Sequence, residues 1–119
     1  MASEQQVRAS HILIEHEGSW RKASWKDPDG RIISATTRDV AIPELCSLHD
    51  DIVSERTHFE EVASSYSHCS SAKHGGDLGR FGREQMQKPF EDATFSLKVG
   101  EMSDIVDTDS SVHIILRTG

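Results

Sequence analysis

Apolar and polar positions first alternate along Val7–Ile14, "VRASHILI", a run rich in β-branched residues. The alternation predicts a strand with Val7, Ala9, His11 and Leu13 on one face, so His11 sits among small apolar neighbours. Residues 15–36 lose the pattern and read as a long polar, locally basic loop, in which "DPDG" at 27–30 suits a type I turn. From Thr37, a fair N-cap, apolar residues recur at spacings of three and four through Val40, Ala41, Leu45, Leu48, Ile52 and Val53. This is the period of an amphipathic helix. Pro43 interrupts it, because it removes a backbone donor and clashes with the preceding turn at about 3 kcal/mol. The helix is therefore expected to kink or shorten at its start, or to begin beside Pro43.

A second helix is expected over about 58–65, "HFEEVASS". The stretch after it, "SHCSSAKHGGDLGRFG" at 67–82, is rich in serine and glycine and holds little that could build a core. It leaves room for one short helical turn before Gly75 and Gly76, and then for a short strand. "QKPFEDATFSL" reads as a helix with Phe90, Ala93 and Leu97 inward and Pro89 in its first turn, where a missing N–H does little harm. Two strands, "SDIVDT" and the longer "SSVHIILRT", close the chain, the last with the length and β-branching of a central strand. This order gives an α+β domain with a mixed or antiparallel sheet. A single domain over residues 1–119 is expected, with a flexible segment at 1–6.

Charge and composition narrow the function. The formal net charge of −7 would repel a phosphate backbone, and the dense cationic stretch is confined to "RKASWK" at 21–26, so nucleic acid is not an expected partner. The first ten residues lack the basic-then-apolar pattern of a signal peptide, and no apolar run reaches the roughly 18 residues of a membrane span. Cytoplasm and nucleus are the expected locations, with no membrane partner. Cys46 and Cys69 are read as free thiols, since an intracellular chain with an adequate core needs no bridge.

The 67–82 stretch admits several chemistries. His68, Cys69 and His74 could suggest a metal, but the spacing is neither C-x-x-C nor H-E-x-x-H. "KHGGDLGRFG" lacks the Gly-Lys-Ser/Thr of a phosphate loop and leads into a strand, not a helix. Cys69 as a nucleophile would need an oriented histidine base, and a buried, inert thiol is the commoner reading. His11 and His113 each fall mid-strand in elements expected to share a sheet, either as a functional pair or as ordinary buried histidines.

Taken together, "ASHILI", "CSSAK", "GGDLGRFG", "MQKPFEDATFSLKVGEMSDIV" and "DTDSSVHIILR" resemble the parvulin family of peptidyl-prolyl cis-trans isomerases, in its phosphoSer/Thr-Pro directed branch. With no WW segment ahead of residue 7, the chain is similar to the plant single-domain members. The resemblance implies a four-stranded, mostly antiparallel sheet surrounded by four helices, non-covalent isomerisation of Ser/Thr-Pro bonds, and no cofactor or metal. It also implies a monomer whose partners are proteins with phosphorylated or acidic Ser/Thr-Pro sites. By position, His11 and His113 match the family's histidine pair, Cys69 its active-site thiol, and Thr108 and Ser110 polar partners nearby. Leu78, Met86 and Phe90 match its proline pocket, Gln87 the pocket rim, and Ser70 and Ser71 the substrate wall. A binding module without turnover and a thiol enzyme or redox sensor are the alternatives.

Some positions depart from the family pattern. Phosphate-directed members carry a lysine and then an arginine pair after the first strand. Here Glu15 stands at the lysine and Trp20 at the first arginine, leaving Arg21 and Lys22 as the residual phosphate ligands. His68 stands where an aspartate is usual. Ser111 replaces a glycine, at a cost on the order of 1 kcal/mol if that position needs a positive φ.

Overall fold

The first strand is the hub of the sheet. A computed structural model describes residues 6–19, 24–108 and 111–119. β1 (Gln6–Ile14) pairs antiparallel on one side with β2 (Asp77–Gly82) and on the other with β4 (Val112–Arg117), and β4 in turn pairs with the two-residue β3 (Val106–Asp107). The order is β2-β1-β4-β3, and every ladder is antiparallel. The sequence expectation of a longer third strand fails: before Val106 the segment meets β4 through an isolated bridge, Met102 to Leu116, and the Ile115 N–H donating to the Ser103 hydroxyl at 2.9 Å.

Because β1 is central, both of its faces are covered. Val7 and Ala9 pack with Phe81, Phe90 and Ile115 beneath α4 (Lys88–Ser96). Ile12 and Ile14 pack on the other face with Val112 and Ile114, against Ala41, Leu45 and Leu48 of α2 (Arg38–Val53) and Phe59, Val62 and Ala63 of α3 (Phe59–Tyr66). The alternation read from the sequence thus sorts β1 residues between two cores. His11 falls on the α4 side.

α2 runs without interruption through Pro43, so it neither starts late nor shortens. The Thr37 hydroxyl accepts the Val40 N–H at 3.2 Å and fixes the first turn before the proline is reached. The ring forfeits the bond to the Asp39 carbonyl, and burial of Ala41, Leu45 and Leu48 outweighs that loss. Val40 and Val53, expected to face inward, are instead 57% and 62% exposed.

The 15–36 region is not all loop. α1 (Arg31–Ala35) inserts the fully buried Ile33, and the buried Asp27 carboxylate accepts the Ile33 N–H at 2.9 Å. The "DPDG" turn closes with the Gly30 N–H donating to the Asp27 carbonyl at 2.9 Å. With α1 the described helices number four, as the family resemblance implied. A 3-10 turn (Ser70–His74) links α3 to β2 and ends at Gly75 and Gly76. Gly76 has φ +88°, its carbonyl accepts the His11 N–H at 2.9 Å, and a Cβ there would stand 2.5 Å from the His11 carbonyl oxygen. No side chain fits at that approach.

Candidate active site

β1 and β4 pair with Leu13 opposite His113 and His11 opposite Ile115, so the two imidazoles are diagonal neighbours on one face. Their Nδ1 atoms lie 3.2 Å apart, and the rings stack at 5.3 Å with planes 22° apart. Both residues are only 5% exposed. Burial pushes the His11 imidazole down to about 4 and, with the neighbouring His11, that of His113 to about 3, so both are neutral near pH 7.

On the far side of His113, Nε2 meets Thr108 Oγ1 at 3.2 Å and Ser111 Oγ at 3.1 Å. The Thr108 hydroxyl donates to the Ser111 carbonyl at 3.1 Å, so it faces the imidazole as an acceptor. The assignment consistent with this network has His113 donate from Nε2 and accept the His11 Nδ1–H on its own Nδ1. His11 Nε2 is then a bare lone pair, buried and without a hydrogen-bond partner. Ser111, where the family pattern has glycine, exposes none of its surface to solvent. Its hydroxyl joins the histidine network, a role the sequence reading missed although Ser111 lies two residues before His113 on the same face.

Phe90 closes the pair from α4, edge-on to His11 at 5.5 Å and to His113 at 5.2 Å. Beside it a cavity of about 180 Å³ is lined by His11, Leu78, Met86, Gln87, Phe90 and His113. The expected pocket residues therefore converge with the histidine pair. Met86 and Gln87 reach it from a turn held by the buried Glu91 carboxylate, which accepts the Glu84 N–H and pairs with Arg83 at 3.4 Å. Glu84 is held at φ +70° in this turn. Nothing in the residue pattern announced that clamp, because its partner is a backbone amide.

Cys69 and Ser70 do not line this pocket. They border a second cavity of about 190 Å³ with Leu13, Glu15, Ser24, Trp25 and His68. Leu13 lies on the β1 face that bears His11, so the second cavity borders the same strand face two residues along. Residues 67–69 run beside the end of β1. The His68 N–H donates to the Leu13 carbonyl at 2.8 Å, the Leu13 N–H to Ser67 Oγ at 3.1 Å, and the Glu15 N–H to His68 Nδ1 at 2.9 Å. The Trp25 indole N–H donates to the Ser67 and Cys69 carbonyls at 3.1 and 3.0 Å, fixing the wall from outside. Ser71 sits in the 3-10 turn with its hydroxyl buried and unbonded. Among the described residues Cys46 and Cys69 are free, and no group of His, Cys, Asp or Glu could hold a metal. Arg21, Lys22 and Ser110, singled out from the sequence, lie outside the described residues, as does Trp20.

A family model described as the PPIC-type PPIASE domain, Rotamase, matches residues 11–119. The chain is 72% identical over 114 residues to "Peptidyl-prolyl cis-trans isomerase Pin1" of Malus domestica, covering 96% of this chain and 94% of that one. It is 69% identical over 118 residues to the Arabidopsis thaliana protein of the same name, covering 99% of each. Among solved structures it is similar to the peptidyl-prolyl isomerase ESS1 from Candida albicans, with a TM-score of 0.92 and 50% identity over 96% of this chain and 63% of that one.

Proposed function

The chain belongs to the parvulin family of peptidyl-prolyl cis-trans isomerases, and from that footing we propose how it isomerises and which bonds it prefers. The proline ring of the substrate enters the cavity formed by Leu78, Met86 and Phe90 over the His11–His113 pair. The chain around the isomerising bond then lies along the wall of Cys69, Ser70 and Ser71.

Rotation about an X-Pro bond must break amide resonance, a barrier of about 18–20 kcal/mol, and takes roughly tens to hundreds of seconds unaided. No atom has to be transferred. The chain can accelerate the rotation by binding the twisted amide better than either planar isomer. An apolar pocket that holds the ring while the preceding carbonyl turns against weakly polar groups meets that need, and it keeps water away as the amide loses resonance. The observation that carries this reading is the neutral imidazole pair under an apolar pocket: two rings whose Nδ1 atoms lie 3.2 Å apart, with depressed basicity, suit a fixed scaffold and not a proton shuttle. Cys69 acts as a polarisable wall group and forms no covalent intermediate.

The preferred bonds are Ser/Thr-Pro bonds that are phosphorylated or have an acidic residue in place of the phosphoserine. The support is the family pattern together with the basic residues Arg21 and Lys22, which can offer a planar fork and a point charge to a phosphate. Glu15 opposes this preference, so the selectivity over Glu-Pro is modest.

Exchange spectroscopy on phosphoSer-Pro and Glu-Pro peptides tests the reading. Both should show catalysed cis-trans exchange, with shifts of the Leu78, Met86 and Phe90 resonances on peptide addition and a strong loss of exchange in Met86→Glu. Exchange that persists in Met86→Glu at the unaltered rate would remove this cavity as the proline site.

A further inference from the structure

We infer that His68 is a positioning residue that ties the Cys69 wall to the end of β1 only in its neutral form, making isomerisation sensitive to mild acid. The inference rests on the reading that the Cys69 wall holds substrate.

The geometry restricts the state of the ring. His68 Nδ1 accepts the Glu15 N–H at 2.9 Å, which requires a lone pair on Nδ1 and therefore the neutral Nε2–H tautomer. The same residue's backbone N–H is bound to the Leu13 carbonyl at 2.8 Å. His68 thus bridges Leu13 and Glu15 while its next neighbour is Cys69. A proton on Nδ1 would set two N–H groups against each other and open the Glu15 end of this bridge. Cys69 and Glu15 line the same cavity, so release of one side alters the shape of the wall directly.

The surroundings set where this happens. Burial and the Lys26 ammonium push the imidazole below its ordinary value near 6.5, and Asp27 opposes them weakly. Glu15 faces the ring from the end of β1, Cys69 from its own segment, and Lys26 and Asp27 from the loop leading to α1. His11 and His113, more deeply buried, are pushed down further, to about 4 and about 3.

A Glu-Pro peptide, whose charge hardly changes between pH 5 and 7.5, separates enzyme titration from that of a phosphate. The wild-type kcat/KM should fall by roughly fivefold from pH 7.5 to pH 5, the scale of one hydrogen bond's net contribution. The Glu15 amide resonance should move through the same midpoint in the absence of substrate. His68→Asn, whose Oδ1 can replace Nδ1 as acceptor but does not titrate, should keep most of the activity at pH 7.5 and flatten the acid limb. His68→Phe, which offers no acceptor, should be low at both pH values. The acid limb surviving in His68→Asn, or full activity in His68→Phe, overturns the proposal, and so does a Glu15 amide that does not titrate. Full activity in Cys69→Ala would instead remove the wall reading. The Glu15 amide titration, which involves no substrate, tells the two failures apart.

Discussion

His11 and His113, 102 residues apart in the chain, meet Nδ1 to Nδ1 at 3.2 Å in a buried, uncharged contact. Burial keeps both rings neutral, and a proton on each would bring two buried cations together. The folded protein therefore resists protonation of this pair, and the unfolded chain does not.

That difference sets a pH dependence of stability. Each folded value, about 4 for His11 and about 3 for His113, lies below the unfolded value of 6.5. The unfolded chain then binds more protons, so the stabilisation is complete above pH 6.5 and is lost progressively as pH falls towards the folded values. Between pH 6.5 and 5 the loss is about 2 kcal/mol per histidine, at roughly 1.4 kcal/mol per pH unit. Urea unfolding at pH 7.5 and 5 should show it, and the slope should shrink in a His11→Leu/His113→Leu double variant. A midpoint independent of pH over this range would mean that the pair titrates in the fold as it does in the unfolded chain.

Cys69→Ser should lower kcat/KM by about tenfold while leaving measurable isomerisation, the loss expected when a binding wall is altered without removing a nucleophile. Intact mass spectrometry during turnover should show no adduct. A trapped acylated Cys69 would replace the non-covalent reading with a covalent one.

Gly76→Ala tests the approach of the glycine turn to the histidine strand. Its Cβ would fall 2.5 Å from the His11 carbonyl oxygen at a backbone φ of +88°, so the strand or the turn must move. A stability loss of roughly 3 kcal/mol or more is expected, with activity falling alongside because His11 shifts. Unchanged unfolding midpoint and turnover would show that the turn can back away freely.

Pro43→Ala should raise the melting temperature. The interior helix cost of about 3 kcal/mol is offset by up to about 1 kcal/mol that proline removes from unfolded-chain entropy, leaving a gain of about 2–3 kcal/mol, or on the order of ten degrees. No gain in a thermal melt would indicate that the Asp39 carbonyl already finds another partner.

These residues also show what a sequence can disclose. The split of β1 between two cores was half legible: alternation gave the Val7, Ala9, His11, Leu13 face, but a central strand hides its second buried face behind the same residue types. α1 was not legible, because a five-residue helix offers one buried side chain, Ile33, and its anchor is the distant Asp27 carboxylate. Pro43 misled because its local cost is fixed, whereas the compensating burial of Ala41, Leu45 and Leu48 is tertiary. His11, Leu78, Met86, Gln87, Phe90 and His113, all named from sequence motifs, line one cavity. The Glu91 and His68 clamps escaped notice, since each bonds a backbone amide that any residue could supply.

The strength of the proposed phosphate preference would turn on Glu15, which is buried beside Cys69, and on Trp20. Relative to the family pattern, lysine to glutamate removes two units of charge and arginine to tryptophan one more, opposite a phosphate of about −2. At about 6 Å in water each unit pair is worth roughly 0.7 kcal/mol, so the six pairs amount to about 4 kcal/mol, and roughly half that at physiological salt. Arg21 and Lys22 retain part of the attraction, so the unaltered protein should favour phosphoSer-Pro over Glu-Pro only modestly. Glu15→Lys combined with Trp20→Arg should raise the ratio of kcat/KM for phosphoSer-Pro over Glu-Pro by about tenfold or more, and the gain should shrink as salt is added. The Glu15 contact to His68 uses the backbone N–H, so the substitution keeps the donor of that bond. A strong, salt-sensitive preference already present in the unaltered protein, and not increased by the double substitution, would assign phosphate binding to groups other than this loop.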